Sequence, residues 1–372
     1  MWPMSGAARL ELSRSHTAAT KLEVLHSGRP VHELVVTGGS VTAQVGRSVM
    51  RNASATAVDP AGQLTGGDLQ DLLSPYDCEI APWRGVRTPA GIEWAPLGVF
   101  GLTGRRVAGD GSVELSGQDR AMTYQGPMSG ALAVPGGTPV EEAITRLLVT
   151  RQPGVQMRSW HTGFTCGPLL YRPDIDVWAE ARKLAQSVGG WLHHDRLGRL
   201  VFSPLLPTTT TPVARYADGD GVLVEASRSE DADTIHNVVV VRSTDGTIQA
   251  VAEDTDPTSP TYAGGRYGRR VTVITNPHVS SVEQAQQAAT TALLRELGRS
   301  ETAALQIVPN PALDPLDAVA VHRPSAGLLD RVLVIDSLTV PLLATELMTL
   351  GCRKYLLTRD GQTLETELEM HS

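Results

Sequence analysis

Four clusters along the chain carry residue types that could do chemistry. His193-His194-Asp195 sets three potential metal ligands in a row. Successive side chains of an extended chain point to opposite faces, so only one of the two imidazoles can join Asp195. A polar hairpin is the expected structure there. Asp218-Gly219-Asp220-Gly221 opens like a calcium loop but lacks the later ligands and the terminal glutamate. Asp231, Asp233 and His236 offer a carboxylate–imidazole pair suited to acid–base work. No nucleophile or oxyanion site accompanies them, so capping and turn hydrogen bonds are expected. Asp254 and Asp256 could flank a glycosidic bond. Pro257 and Pro260 beside them favour a stiff loop whose carboxylates satisfy backbone amides.

No phosphate loop, dinucleotide fingerprint, nucleophile elbow or zinc-protease helix occurs in the sequence. Cys78, Cys166 and Cys352 are too sparse for a disulfide framework or a metal knuckle and read as buried thiols. No catalytic, cofactor-binding or metal-binding residue is assigned, and a non-enzymatic role is expected. Charge points the same way. With 32 Lys+Arg against 40 Asp+Glu the net charge is -8, which argues against binding nucleic acid by neutralising phosphates.

The elements that must position these residues are mostly short strands. The 372 residues include 36 Gly and 24 Pro, and aromatics reach only 4%, a composition rich in turns. Residues 22–26, 31–36 and 40–45 read as strands, separated by turns at residues 27–30 and at Gly38-Gly39. Residues 97–107 and 112–117 flank the turn Gly109-Asp110-Gly111, a hairpin signal. Strands so short and closely spaced argue for a small barrel or sandwich.

The middle changes character. Val140, Ala143, Ile144, Leu147 and Leu148 lie at helical spacing, with Thr138 as the expected N-cap and Pro139 as the first helical residue. A second helix starts near Asp174 or Asp176 and stops at Gly189-Gly190. A hairpin then turns at residues 195–198. The run 207–212 reads as an exposed connector. Residues 237–242 form a strand apolar enough for burial on both faces. A third helix spans residues 282–297, capped by Ser280 or Ser281. Its face of Ala285, Ala288, Ala289 and Ala292 is expected to pack internally. Strands resume at 304–308, 318–321, 331–337 and 348–353. No apolar stretch approaches the roughly 18 residues that span a bilayer, and residues 1–6 show no targeting signal. Synthesis and folding in the cytoplasm are expected.

The order of several stretches resembles one family. These are Leu72-Leu73-Ser74-Pro75-Tyr76-Asp77-Cys78, then Gly98-Val99-Phe100-Gly101 with Leu115-Ser116-Gly117-Gln118-Asp119-Arg120-Ala121. The Asp195-to-Leu200 hairpin, the strand Ile235-His236-Asn237-Val238, the alanine-rich helix and Pro309-Asn310-Pro311-Ala312-Leu313-Asp314-Pro315 follow. Over residues 20–355 the chain resembles the tail hub, or baseplate hub, proteins of long-tailed phages. The form is that of the minor tail proteins of actinobacterial phages and related contractile injection particles.

The resemblance implies a mainly β fold with α+β insertions, in which two small β-barrel, tube-like domains form a ring subunit. The expected divisions are a barrel domain at 1–125, a helix–hairpin domain at 126–206, a β domain with a Pro-rich loop at 207–280, and a helix plus second barrel at 281–372. It further implies a homotrimer at the virion tail tip. A distal tail ring, tail tube or tape measure protein would lie above it and spike or fibre proteins below. DNA would pass through an acidic lumen during ejection without specific binding. Residues 72–76, 82–87 and 309–317 are the expected subunit contacts. The alternatives are a distal tail ring protein, or a carbohydrate-binding or cell-wall-degrading protein, for which Trp83 and Trp94 could flank one exposed loop.

Overall fold

The computed structural model describes residues 1–59, 71–206, 211–359 and 362–364. The fold is mainly β. The N-terminal region opens with helix α1 (Gly6–Leu12) and continues through β1 (Ala18–His26), β2 (Arg29–Gln44), β3 (Arg51–Val58), β4 (Cys78–Thr88), β5 (Gly91–Pro96), β6 (Phe100–Val107) and β7 (Val113–Asp119). Pairing runs β1-β4-β6-β7-β3-β2 and returns from β2 to β1, so six strands close into a barrel, with β5 attached to β4. Closure leaves no free edge on these six strands. β3 and β7 alternate buried and open residues along their length. The inward set includes Ala53, Ala55, Ala57, Val113 and Leu115, joined by Leu22, Ile80 and Phe100.

The turn expected at Gly38-Gly39 does not exist. β2 runs unbroken for 16 residues and bends there through a bulge between Val36 and Gly38. Gly39 has φ +113°, and a Cβ on it would stand 2.1 Å from the Ser54 carbonyl oxygen. The two glycines let the strand coil against the small residues of β3 instead of reversing it. Beyond the bend, residues 40–44 of β2 pair with the far end of a C-terminal strand and couple the barrel to a second set.

A middle region contains β8 (Leu132–Val134), α2 (Val140–Val149), β9 (Met157–Ser159), β10 (Leu169–Tyr171), α3 (Val177–Gln186), β11 (Gly190–His194) and β12 (Leu200–Pro204). The α3 N-cap is Asp176, whose carboxylate accepts from Ala179 N at 2.7 Å. Helix α2 departs from expectation. Pro139 itself is its N-cap, and the Thr138 hydroxyl turns back to donate to the Pro135 carbonyl at 2.7 Å. Pro139 keeps an extended ψ of 140°, so the helix begins at Val140 and Thr138 lies one residue too early to cap it.

The remaining strands are β13 (Ala214–Ala217), β14 (Leu223–Glu230), β15 (Val238–Arg242), β16 (Gln249–Glu253) and β17 (Val271–Thr275). Helix α4 (Val282–Gly298) precedes β18 (Glu301–Ile307), β19 (Ala318–Arg323), β20 (Leu328–Pro341) and β21 (Met348–Lys354). β14, β18, β21, β20, β19 and β13 pair in that order. The β2–β20 ladder merges them with the barrel into one 13-stranded sheet over one contiguous core. β15, flanked by β16 and β17, forms a separate three-stranded sheet under α4, whose cap is Ser281. Val238, Val239 and Val241 are buried and Val240 is half-buried. Ala285, Ala288 and Ala289 pack inward, as the small-residue face requires. Most of the expected connector at 207–212 lies outside the described residues. The chain continues into β22 (Leu357–Arg359) and β23 (Gln362–Leu364).

Candidate functional site

The four chemistry-bearing clusters are absorbed by structure. Asp195 accepts from Leu197 N and Arg199 N, both at 2.9 Å, and holds the β11–β12 turn. His193 stacks on Trp191 with ring centroids 3.9 Å apart. His194 points the other way, between Tyr124 and Trp178. Burial first, and then the Arg51 charge, lowers the His193 pKa to about 4. Burial, with His193 adding to it, lowers that of His194 to about 3. Both rings are therefore neutral packing groups near neutral pH.

Asp220 accepts from Ala217 N, Val222 N and Leu223 N, while Asp218 pairs with Arg323. Asp231 caps Asp233 N at 2.8 Å, and His236 faces Glu296 at 3.6 Å instead of either aspartate. Asp254 accepts from the hydroxyls of Ser259 and Thr261, and Asp256 from Thr258 N. Among the described residues no group of three metal-ligating side chains converges. All three cysteines are buried, and burial pushes the Cys78 and Cys352 thiols up to about 12.

The concentrated charge of the molecule lies elsewhere, at a junction the sequence does not advertise. Arg51 begins β3 and is 2% exposed. Arg196, in the β11–β12 turn, is 3% exposed. Both guanidinium groups reach Asp314 in the loop before β19, with Arg196 Nε 3.2 Å from Oδ2 and Arg51 Nη2 on Oδ1. Burial alone would raise the Asp314 pKa, but the two arginines reverse this and hold the carboxyl below the usual range. Arg51 N also donates to Asp119 Oδ2 at 2.8 Å, and Arg196 donates to the Pro311 carbonyl. One aspartate thus clamps barrel, helix–hairpin region and C-terminal sheet together. Arg84 of β4 adds a second tie, donating to the Leu343 carbonyl at 3.1 Å.

The expected contact segments divide accordingly. Residues 82–87 are not a loop but the middle of β4, paired with β1 on one side and β5 on the other. Residues 309–313 are buried inside the subunit, held by the Asp314 junction. In residues 72–76, Leu73 is buried whereas Tyr76 is 98% exposed. Trp83 and Trp94 are cross-strand neighbours that sandwich Lys21, its Nζ 5.2 Å from each ring centroid, which makes them a cation–π packing unit.

No protein-family model and no curated protein sequence matches the chain. Solved structures do. The tail protein from Neisseria meningitidis MC58 superposes with TM-score 0.60 at 17% identity, over 90% of this chain and 97% of that one. The 43 kDa tail protein of prophage MuSo2 from Shewanella oneidensis gives 0.61 at 16%, over 90% and 98%. An E. coli component of the type VI secretion system, described as structurally similar to the T4 bacteriophage tail proteins gp27 and gp5, gives 0.52 at 10%, over 93% and 80%. Over about nine-tenths of its length, this chain has the fold of phage tail and baseplate-like proteins.

Proposed function

We propose that the chain is a structural subunit of a phage tail, the hub at its distal tip. The observation that carries this reading is the extent of the fold likeness. Nine-tenths of the chain superposes on prophage tail proteins that are themselves covered almost end to end. The chemistry-bearing residues support a non-enzymatic role, since each is occupied in caps, turns or packing. In this reading the closed barrel of segment 1–125 and the C-terminal sheet are the two ring-forming units of each subunit, bridged by β2 and β20. The C-terminal unit draws β13 and β14 from segment 207–280 and its other strands from 281–372. The α2–α3 region of 126–206 and the β15–β17 sheet flank them.

Three copies would make a pseudo-sixfold ring. A distal tail ring, tail tube or tape measure protein would sit on one side and a spike or fibre on the other. DNA would cross the lumen during ejection, and the net charge of -8 per chain favours a wall that does not hold it. Native mass spectrometry together with negative-stain imaging tests the proposal. A particle of three times the 39.6 kDa chain mass with a threefold central channel is expected. A sixfold ring would indicate a distal tail ring protein, and a monomer at all concentrations would reject the ring. A contractile secretion particle is the second reading, favoured by the likeness to the type VI component.

A further inference from the structure

Tyr76 stands at the tip of the turn before β4 with 98% of its surface exposed. The turn beneath it is firmly held. Cys78 N donates to the Ser74 carbonyl at 3.1 Å and Arg105 Nη1 to that of Leu73 at 3.2 Å, while His26 Nε2 lies 2.8 Å from the Leu72 carbonyl oxygen. Leu73 is fully buried in the barrel core. The ring therefore projects from a fixed base, and Asp77 beside it is exposed as well. An aromatic side chain on a preorganised tip loses little conformational freedom on binding, and tyrosine is over-represented among the residues that anchor interfaces.

The chain also carries a recess suited to such a tip. Between the β15–β17 sheet, α4 and the stretch after β2 lies an open cleft of about 850 Å³. Leu205, Ile274 and Ala288 give it an apolar wall, and Arg47, Arg295 and Arg299 a cationic one. Glu296 is the single carboxylate of the lining. Among the described residues Arg295 has neither a hydrogen bond nor an ion pair. Its guanidinium lies along Gly46, where a Cβ would stand 3.1 Å from Nη2. In a chain of net charge -8 this is a local excess of positive charge. Free guanidinium donors beside an apolar wall suit an aromatic ring next to a carboxylate, through stacking on the ring and charge-assisted hydrogen bonds to the oxygens.

Tip and cleft do not meet within one subunit. β1 sets His26 against Arg29 at the start of β2 and against Cys78 at the start of β4, so the Tyr76 turn stands where β2 begins. The cleft starts at Gln44, where β2 ends. The 16 residues of that strand amount to on the order of 50 Å of extended backbone. A projection at one end and a matching recess at the other is the layout of a head-to-tail contact, which closes into a ring when rotation relates the copies.

We infer that the Tyr76–Asp77 tip of one copy of this chain seats in the α4 cleft of the next. The phenol ring packs against Ile274 and Ala288, and the Asp77 carboxylate reaches Arg295. This contact rests on the ring reading above and names the surfaces that build the ring.

Native mass spectrometry and sedimentation velocity on the full chain test it. Tyr76→Ala should raise the concentration needed for assembly by roughly thirtyfold or more, with an unchanged thermal midpoint because the side chain is exposed. Asp77→Arg should weaken assembly by roughly tenfold, and adding Arg295→Asp to that variant should restore it. Mixing the Tyr76→Ala chain, whose cleft is intact, with an Arg295→Asp chain, whose tip is intact, should give a two-subunit species, since one contact survives between them. Assembly of the Tyr76→Ala chain at wild-type concentrations would overturn the inference and leave the ring reading standing. A wild-type chain that stays monomeric at all concentrations would overturn both.

Discussion

The N-terminal barrel and the β15–β17 sheet solve the same problem in opposite ways. Both are β-sheets, yet the barrel closes on itself whereas the sheet has three strands among the described residues. Closure pairs every edge and permits a buried charge network at the rim, because Asp314, Arg51 and Arg196 find one another there. The open sheet borders a cleft lined by Arg295 and Arg299 of α4 and leaves its outer valines half-exposed. Rigidity concentrates in the first region and available backbone in the second.

That contrast breaks first at Asp314. Asp314→Ala leaves two nearly fully buried guanidinium groups without their carboxylate and should destabilise the fold by about 3–5 kcal/mol, read by urea denaturation. A loss below about 1 kcal/mol would show that the junction behaves like a surface ion pair. Next comes the bend in β2. Gly39→Ala places a Cβ against the Ser54 carbonyl at positive φ and should cost about 2 kcal/mol or more, seen as a lower thermal midpoint. Gly246→Ala, in the β15–β16 connection with open space around it and φ +72°, should cost only about 1 kcal/mol, from the left-handed backbone alone. Equal losses at the two positions would erase the distinction between the regions.

Acid should act on the middle region, at β11. His193 and His194 have folded pKa values lowered to about 4 and about 3, below the ordinary value of 6.5. The unfolded chain therefore binds protons first as pH falls. Stability is fully present above pH 6.5 and declines below it, at up to about 1.4 kcal/mol per pH unit for each histidine. His194→Gln should flatten that slope between pH 6 and pH 4; an unchanged slope would remove His194 from the account. The smallest effect is expected on the open sheet. Val271→Thr with Val273→Thr removes two half-exposed methyl groups and should shift unfolding by less than about 0.5 kcal/mol. A shift beyond 1 kcal/mol would mean that this face is covered.

Much of this was legible in local pattern. Asp176 and Ser281 announce their helices because a short polar acceptor precedes an apolar stripe. The alternation of β3 and β7, and the turns at residues 109–111 and 195–198, follow from side-chain period and turn chemistry alone. The polar role of Asp254 and Asp256 is legible too, since aspartates beside prolines and hydroxyl residues find local donors. Gly38-Gly39 misled for an equally physical reason. A glycine pair permits a turn or a bulge with the same backbone freedom, and only the partner strand decides which. Segment 82–87 reads as a loop because Pro82 interrupts it, whereas long-range pairing makes it the middle of β4; 309–317 is a loop as read, and residues 309–313 are buried inside the subunit.

Local pattern along the chain settles the class of the protein: mainly β strands with three amphipathic helices in the interior of the sequence, and an acidic net charge. These follow from interactions between residues close along the chain, where spacing is geometry. Long-range packing alone settles that β2 joins β20, that Asp314 meets Arg51 and Arg196 across 263 and 118 positions, and that β17 pairs only with β15 among the described residues. Those outcomes depend on which distant surfaces exclude water together, and no local window of the chain contains that information.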